Sequence, residues 1–408
     1  MSQPPCAFLW GTATAAHQIE GGNVNSDFWL AENVAPSLFR EPSGDACDSY
    51  HRYGEDIAIA AGLGFNCHRF GIEWARIEPE LGQFSTAALD HYLRVLEACQ
   101  LRGLAPMVTF SHWTVPRWFA AQGGFEHPDS PDLFARFAEK ATAHLGGAMA
   151  YATTFNEANI QRVIGDQFRG ERVAPRLQAM LDACAAASGS DRFAMVLFGH
   201  AEAIEANMVE AHHRAAKAIK AGPGDFPLGV TVSMAEVTGV GPDNQAEAFE
   251  ASLYGPWLDV AAQADFVGVQ TYTRYLVGAE GPLPHPPGTV LTDMRYEYRP
   301  EALEATIRKA ASHTGRPVIV TEHGIATTDD QQRIAFIDTA LEGVKRCIAD
   351  GIDVRGYVHW SLLDNFEWVL GYKMRFGLVE VDRTTFDRTP KPSAAHLGAI
   401  ARKGGLVA

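Results

Sequence analysis

Short apolar runs alternate with longer amphipathic stretches along the chain. Eight runs carry the apolar signal, at residues 8–13, 65–72, 105–110, 150–155, 228–232, 266–272, 318–321 and 356–360. Between them lie helical patterns. Residues 87–102 form one, opening after Ser85-Thr86. Residues 131–145 form another, with Phe134, Phe137, Ala138 and Ala141 at helical spacing. An alanine-rich stretch at 195–221 and a stretch at 330–350 complete the set. Strands that alternate with helices imply parallel strands joined by crossovers. Eight of them predict an α/β chain folded as one (β/α)8 barrel over residues 1–408, and a doubly wound open sheet is the competing arrangement. Residues 222–227 and the four-proline segment 278–288 read as loops between barrel elements, with no linker and no internal repeat.

The runs end alike. Ser111-His112-Trp113 follows the third, Asn156-Glu157 the fourth, Gln270-Thr271-Tyr272 closes the sixth, Glu322-His323 follows the seventh, and Trp360-Ser361 stands at the eighth. In a (β/α)8 barrel the C-terminal strand ends converge on one mouth, where active sites sit. Strands must end somewhere and loops are polar, which accounts for any one of these clusters. It accounts poorly for carboxylates, imidazoles and indoles recurring at equivalent places. Glu157 and Glu322 sit at the ends of different strands, so they can face each other across the mouth. A glutamate pair flanking a glycosidic bond suits an oxocarbenium-like transition state: one attacks, the other protonates the leaving oxygen. Two close anions in a dry pocket raise one of the two pKa values. Arg69, ending the second run, is placed to hold a nucleophile ionised or to form an ordinary buried ion pair. Trp113, Trp360 and Trp368 offer stacking faces for a sugar or fill the core.

Composition adds mainly exclusions. The 408 residues carry a formal net charge of −15, which disfavours nucleic acid and anionic membranes as partners. No stretch is long and apolar enough to span a bilayer. Six scattered cysteines without a C-x-x-C pair read as reduced, buried thiols, and the Met-Ser-Gln-Pro-Pro start lacks a basic signal region, so the chain reads as cytoplasmic. No His/Cys/Asp cluster has metal-ligand spacing, and neither metal nor organic cofactor is expected.

These motifs together resemble glycoside hydrolase family 1, the β-glucosidase family, nearly end to end. FLWGTATAAHQIEGG (8–22) resembles the family's opening signature and FSHWTVPRW (110–118) its third-strand motif. TFNEAN (154–159) matches the acid/base motif and VTEHG (320–324) resembles the nucleophile motif. HWSLLDNFEW (359–368) with RFGLVEVD (375–382) matches the C-terminal signature. The resemblance implies a retaining β-glycosidase acting on small β-glycosides, with Glu157 as acid/base and Glu322 as nucleophile. It implies that Asn156 holds the sugar 2-hydroxyl, that Gln18, His112, Glu367 and Trp368 bond the others, and that Trp360 is the stacking floor. It gives Arg69 and Tyr272 the task of positioning Glu322. Glucose is the expected glycone, with galactose and fucose next. Retaining chemistry carries an expected carboxyl separation of about 5–5.5 Å.

The departures are informative. His323 stands where the family usually has Asn, and Gln270 where it usually has Asn two residues before the tyrosine; both are expected to shape the surroundings of the nucleophile. The chain is somewhat shorter than typical members, which predicts trimmed mouth loops and room for larger leaving groups. Glu367 stands where 6-phospho-glycosidases carry Ser, and Glu157 where some thioglucosidases carry Gln, so unphosphorylated O-glycosides are the expected substrates. A barrel isomerase or aldolase would need a strand-end lysine or a metal cluster, and none of the eight runs ends in lysine. A catalytically dead carbohydrate binder would not need both glutamates with Arg69 and Tyr272. A transglycosylase would use the same residues, and the oligomeric state, monomer or homodimer, stays open.

Overall fold

A computed structural model describes residues 8–404 and Leu406. Its strands, in chain order, are β1 (Leu9–Ala13), β2 (Cys67–Gly71), β3 (Ala105–Ser111), β4 (Tyr151–Phe155), β5 (Leu228–Gly239), β6 (Phe266–Gly278), β7 (Gly281–Leu283), β8 (Val318–His323), β9 (Val354–Trp360), β10 (Val379–Val381) and β11 (Arg388–Pro390). Eight of them, β1 to β6 with β8 and β9, pair in parallel around a ring. The ring closes where β9 pairs with β1, from Leu9 opposite Gly356 to Ala13 opposite Trp360. Closure makes this a (β/α)8 barrel and excludes the open doubly wound sheet.

The barrel strands coincide with the eight apolar runs because each is covered on both faces, by the barrel interior and by the helix layer. Leu9, Cys67, Met107, Phe266 and Ile319 form an apolar plug inside the barrel. Two of the helices that cover the barrel start on a short polar cap: the Ser85 hydroxyl accepts from the Ala88 N–H, and Asp329 accepts from Gln331 and Gln332.

Several predicted boundaries change. β5 and β6 continue past their apolar runs to Gly239 and Gly278. The helix expected over 195–221 is the helix Ala201–Ala221, because Gly199 and His200 are extended and leave 196–198 as a separate turn. The 278–288 segment is not wholly a loop. Gly281, at φ 107°, turns the chain so that β7 folds back antiparallel on β6. Cys47, Cys67, Cys99, Cys184 and Cys347 are free and buried, while Cys6 lies outside the described residues.

Candidate active site

At the C-terminal end of the barrel the interior switches from apolar to polar. A cavity of about 330 Å³ opens there, walled at its inner end by Glu157, Glu322, Glu367, His112, Trp360 and Trp368. Asn156, Trp113 and Tyr272 also line it. The strand ladders slip at this level. The β6–β8 register shifts between Val269 and Gln270, and the β8–β9 register between Val320 and His323. Such irregularities re-aim side chains at strand ends. Gly324 must be glycine, since a Cβ there would lie 1.9 Å from the Trp360 carbonyl oxygen.

Both carboxylate oxygens of Glu322 are held. Arg69 Nη1 lies 2.6 Å from Oε1, and the Tyr272 hydroxyl donates to Oε2 at 2.7 Å. Burial raises the Glu322 pKa, while Arg69 and the Tyr272 hydrogen bond pull it back. Among the described residues no cation is paired with Glu157, and the Arg69 charge acts on it more weakly than its burial does. Burial first, and the Glu322 charge second, push its carboxyl up to about 8, against a weaker hydrogen bond from Ser233. Of the two, Glu322 is therefore the one that ionises first.

Asn156 and Gln270 link the pair. Asn156 Oδ1 accepts from Arg69 Nη2 at 2.6 Å and from Gln270 Nε2 at 2.8 Å. The Glu157 backbone N–H donates to Gln270 Oε1 and to the Thr231 hydroxyl. Gln270 thus braces the Glu157 side of the site, and no hydrogen bond joins it to Glu322 among the described residues. Its Cα stands opposite that of Glu322 in the β6–β8 ladder, and through Asn156 it is joined to Arg69, which holds the expected nucleophile. For His323 the expected place beside the nucleophile is corrected. Its ring stacks on Phe336 at 4.8 Å and its Nδ1 meets the Tyr357 hydroxyl at 2.9 Å. Successive strand residues point to opposite faces, so the neighbour of an inward Glu322 points to the helix layer.

Among the described residues, three that line the cavity carry buried polar atoms without a partner. His112 Nδ1, Trp113 Nε1 and Asn156 Nδ2 have no protein partner among the described residues. Buried donors are normally satisfied, so these are groups a hydroxylated ligand would satisfy. The Gln18 amide sits behind Glu367, donating to its Oε2 at 3.3 Å and to the Phe366 carbonyl at 2.8 Å. Glu367 is pushed up to about 8, by burial and then by the Glu322 charge. His112 is held neutral by burial and by Arg69, and it stacks on Trp360 at 5.5 Å. Trp113, Glu157 and Trp368 have φ of 70°, 41° and 48°. Left-handed backbone at bulky residues costs roughly 1–3 kcal/mol each and concentrates at functional sites.

Two contributors were not singled out from sequence. Ser233 lies one residue past Val232, where the fifth apolar run ends, and lines the cavity; Thr231 and Ser233 on alternate positions of β5 are its readable signal. His17 stacks face to face with Trp368 at 5.8 Å, fixed by Glu32 at 2.6 Å. It was hidden inside the opening signature.

His323 carries a stability prediction. Burial lowers its pKa to about 3, against 6.5 for an ordinary histidine. The unfolded chain therefore binds the extra proton first, and stability falls as pH drops from 6.5 towards 3. His323→Phe should cost about 1 kcal/mol at pH 7 through the lost Tyr357 hydrogen bond. It should also lose about 2 kcal/mol less than the parent between pH 7 and 5. Denaturant unfolding at the two pH values measures this; parallel losses would refute it.

A closed barrel with a guanidinium-held glutamate and a protonated glutamate lining one mouth is the arrangement of a glycoside hydrolase. The sequence profile described as glycosyl hydrolase family 1 matches residues 2–276 and 259–406. An apo β-glucosidase structure shares 51% identity and a TM-score of 0.94, covering 97% of this chain and 98% of that one. A crystallised β-glycosidase shares 47% identity and a TM-score of 0.91, over 97% and 96% of the two chains. Thermostable beta-glucosidase B of Thermobispora bispora is 31% identical, with 98% of this chain and 91% of the relative aligned. The chain belongs to glycosyl hydrolase family 1. Among the described residues no helix is long and apolar enough to cross a membrane, and no group of three metal-ligating side chains occurs.

Proposed function

We propose that the enzyme is a retaining β-glucosidase in which Glu322 attacks the anomeric carbon and Glu157 serves as acid, then base. The observation that carries this is the asymmetry of the pair: Arg69 and Tyr272 hold Glu322 by both oxygens, while burial and the Glu322 charge keep Glu157 protonated to about pH 8. In the first step the C1–O bond breaks, Glu157 protonates the departing oxygen, and Glu322 Oε bonds to C1. In the second, Glu157 as carboxylate takes a proton from water, which displaces Glu322 with a second inversion. Asn156 Nδ2, unpartnered and fixed through Oδ1, is the donor for the 2-hydroxyl. His112, Trp113 and Glu367 bond other hydroxyls, Gln18 acts through Glu367, and Trp360 and Trp368 supply the apolar walls.

A panel of 4-nitrophenyl β-glycosides tests the glycone, with the glucoside expected first and galactoside or fucoside next. Proton NMR of the first product should show the β-anomer; the α-anomer first would mean inversion. Tyr272→Phe should lower kcat/KM roughly ten- to a hundredfold, the worth of a hydrogen bond to a charged group. Because that bond favours the carboxylate, its loss raises the Glu322 pKa and moves the acid limb of the pH profile upward. An unmoved limb would refute the contact's role.

The same glutamates serve transglycosylation, and product analysis with an added alcohol acceptor measures its share. The whole chain is proposed to act as one barrel unit, as monomer or homodimer, in the cytoplasm in carbohydrate metabolism; the five free buried thiols suit a reducing compartment.

A further inference from the structure

Two consecutive residues of the short helix Ala16–Ile19 back two consecutive residues of the cavity wall. Gln18 donates to Glu367, and His17 stacks on Trp368. The two rings are parallel within 5° at 5.8 Å between centroids, an offset stack. Trp368 needs such support. Its backbone is left-handed, with φ of 48°, a conformation that a bulky residue keeps only where its surroundings impose it.

The imidazole is itself fixed at both nitrogens. Asn23 Nδ2 donates to Nδ1 at 3.1 Å, which leaves Nε2 to donate to Glu32 Oε1 at 2.6 Å. Glu32 is held in turn. Its Oε2 accepts from the Ser43 N–H at 2.8 Å and from the Ser43 hydroxyl at 2.7 Å. The Ser43 carbonyl accepts from the hydroxyl of Tyr372, four residues past Trp368. A closed ring of contacts therefore runs from Trp368 through His17, Glu32 and Ser43 to Tyr372, and back along the chain.

Core packing alone does not call for these groups. Phenylalanine would stack on Trp368 as well, and Phe28 and Phe366 already surround the His17 ring. The His17 and Glu32 side chains are 1% and 0% exposed. Burying a carboxylate against an imidazole costs desolvation and does little for stability. What it adds is direction. Hydrogen bonds at both nitrogens fix the rotation of the imidazole ring, and the parallel indole follows that plane.

We propose that His17, clamped by Glu32, is a positioning residue that sets the plane of Trp368 and, through it, the enzyme's choice of glycone. It touches no substrate and moves no proton in the reaction. This rests on the β-glucosidase reading, in which Trp368 walls the sugar, and names what holds that wall in place.

The test is the ratio of kcat/KM for 4-nitrophenyl β-glucoside to that for the β-galactoside, a ratio independent of how much of a preparation is folded. His17→Ala and Glu32→Ala should each shift it at least about fivefold, the worth of one hydrogen bond. His17→Phe restores a stacking ring without the bond to Glu32. It should unfold at a higher temperature than His17→Ala and still show the shifted ratio. The ratio of 4-nitrophenyl to methyl β-glucoside, which differ only in leaving group, should not move. When His17→Ala is added to Trp368→Ala, the glycone ratio should stay at that of Trp368→Ala alone, since residues that act as one unit are not additive. An unmoved glycone ratio, an equal shift in the leaving-group ratio, or factors that multiply in the double variant overturns the proposal. Should the alanine variants not fold, His17→Phe decides by its glycone ratio. Turnover of neither glycoside by the wild type brings down the β-glycosidase reading, and this proposal with it.

Discussion

Glu322→Gly is expected to lower kcat by roughly 10⁵-fold, on the order of 7 kcal/mol at 1.36 kcal/mol per decade. The reason is geometric before it is electrostatic. Arg69 and Tyr272 each spend a strong hydrogen bond on one oxygen of this carboxylate. That fixes the carboxylate for attack, whereas Glu157 and Glu367 are held protonated to about pH 8. The variant should also lose roughly 3–5 kcal/mol of stability, because the buried Arg69 guanidinium keeps only Asn156, at 2.6 Å, as a partner among the described residues. Steady-state assays with an activated aryl glucoside, beside a thermal unfolding curve, measure both halves. Near wild-type hydrolysis in a folded variant would mean that another group forms the covalent intermediate.

Glu157→Gln should separate the two half-reactions. General acid catalysis is typically worth 10²- to 10⁴-fold, so alkyl glucosides should lose about that much. Leaving groups acidic enough to depart without a proton should lose far less in the first step. For these the second step becomes slow, since no carboxylate activates water, and a burst of aryl alcohol should precede a slow steady state. The pH profile gives an independent readout. The wild-type alkaline limb of kcat/KM should fall near pH 8, as the Glu157 carboxyl gives up the proton it must donate. Glutamine cannot titrate, so that limb should disappear with activated substrates. A limb persisting near 8 would point instead to Glu367, which burial and Glu322 push to about the same value.

The barrel was legible because its strands are apolar on both faces and end in polar clusters, which is how buried parallel strands read. Glu157 and Glu322 stood out for the same reason, as carboxylates following runs with no other business near charge. Side-chain direction was less legible. His323 touches Glu322 along the chain but packs against Phe336, and strand alternation alone already argues for that. Gln270 was harder, because its two partners, Asn156 and the Glu157 N–H, lie over a hundred residues away and depend on the β6–β8 register slip. The apolar stripe of Ile160, Val163, Ile164 and Phe168 on the helix Ile160–Arg169 reads from sequence like any core-facing helix. Only the folded chain reveals that it lines a cavity.

The carboxylate that bonds to the sugar can be trapped and located. A 2-deoxy-2-fluoro β-glucoside with an activated leaving group slows both steps, while the good leaving group lets the first outrun the second. Intact-protein mass followed by peptide mapping then locates the trapped sugar. One glycosyl unit per chain, on the peptide that holds Glu322 and lost again on adding a sugar acceptor, is the predicted result. Attachment at Glu157 or Glu367, or full turnover of ordinary substrate with no adduct ever formed, would contradict it.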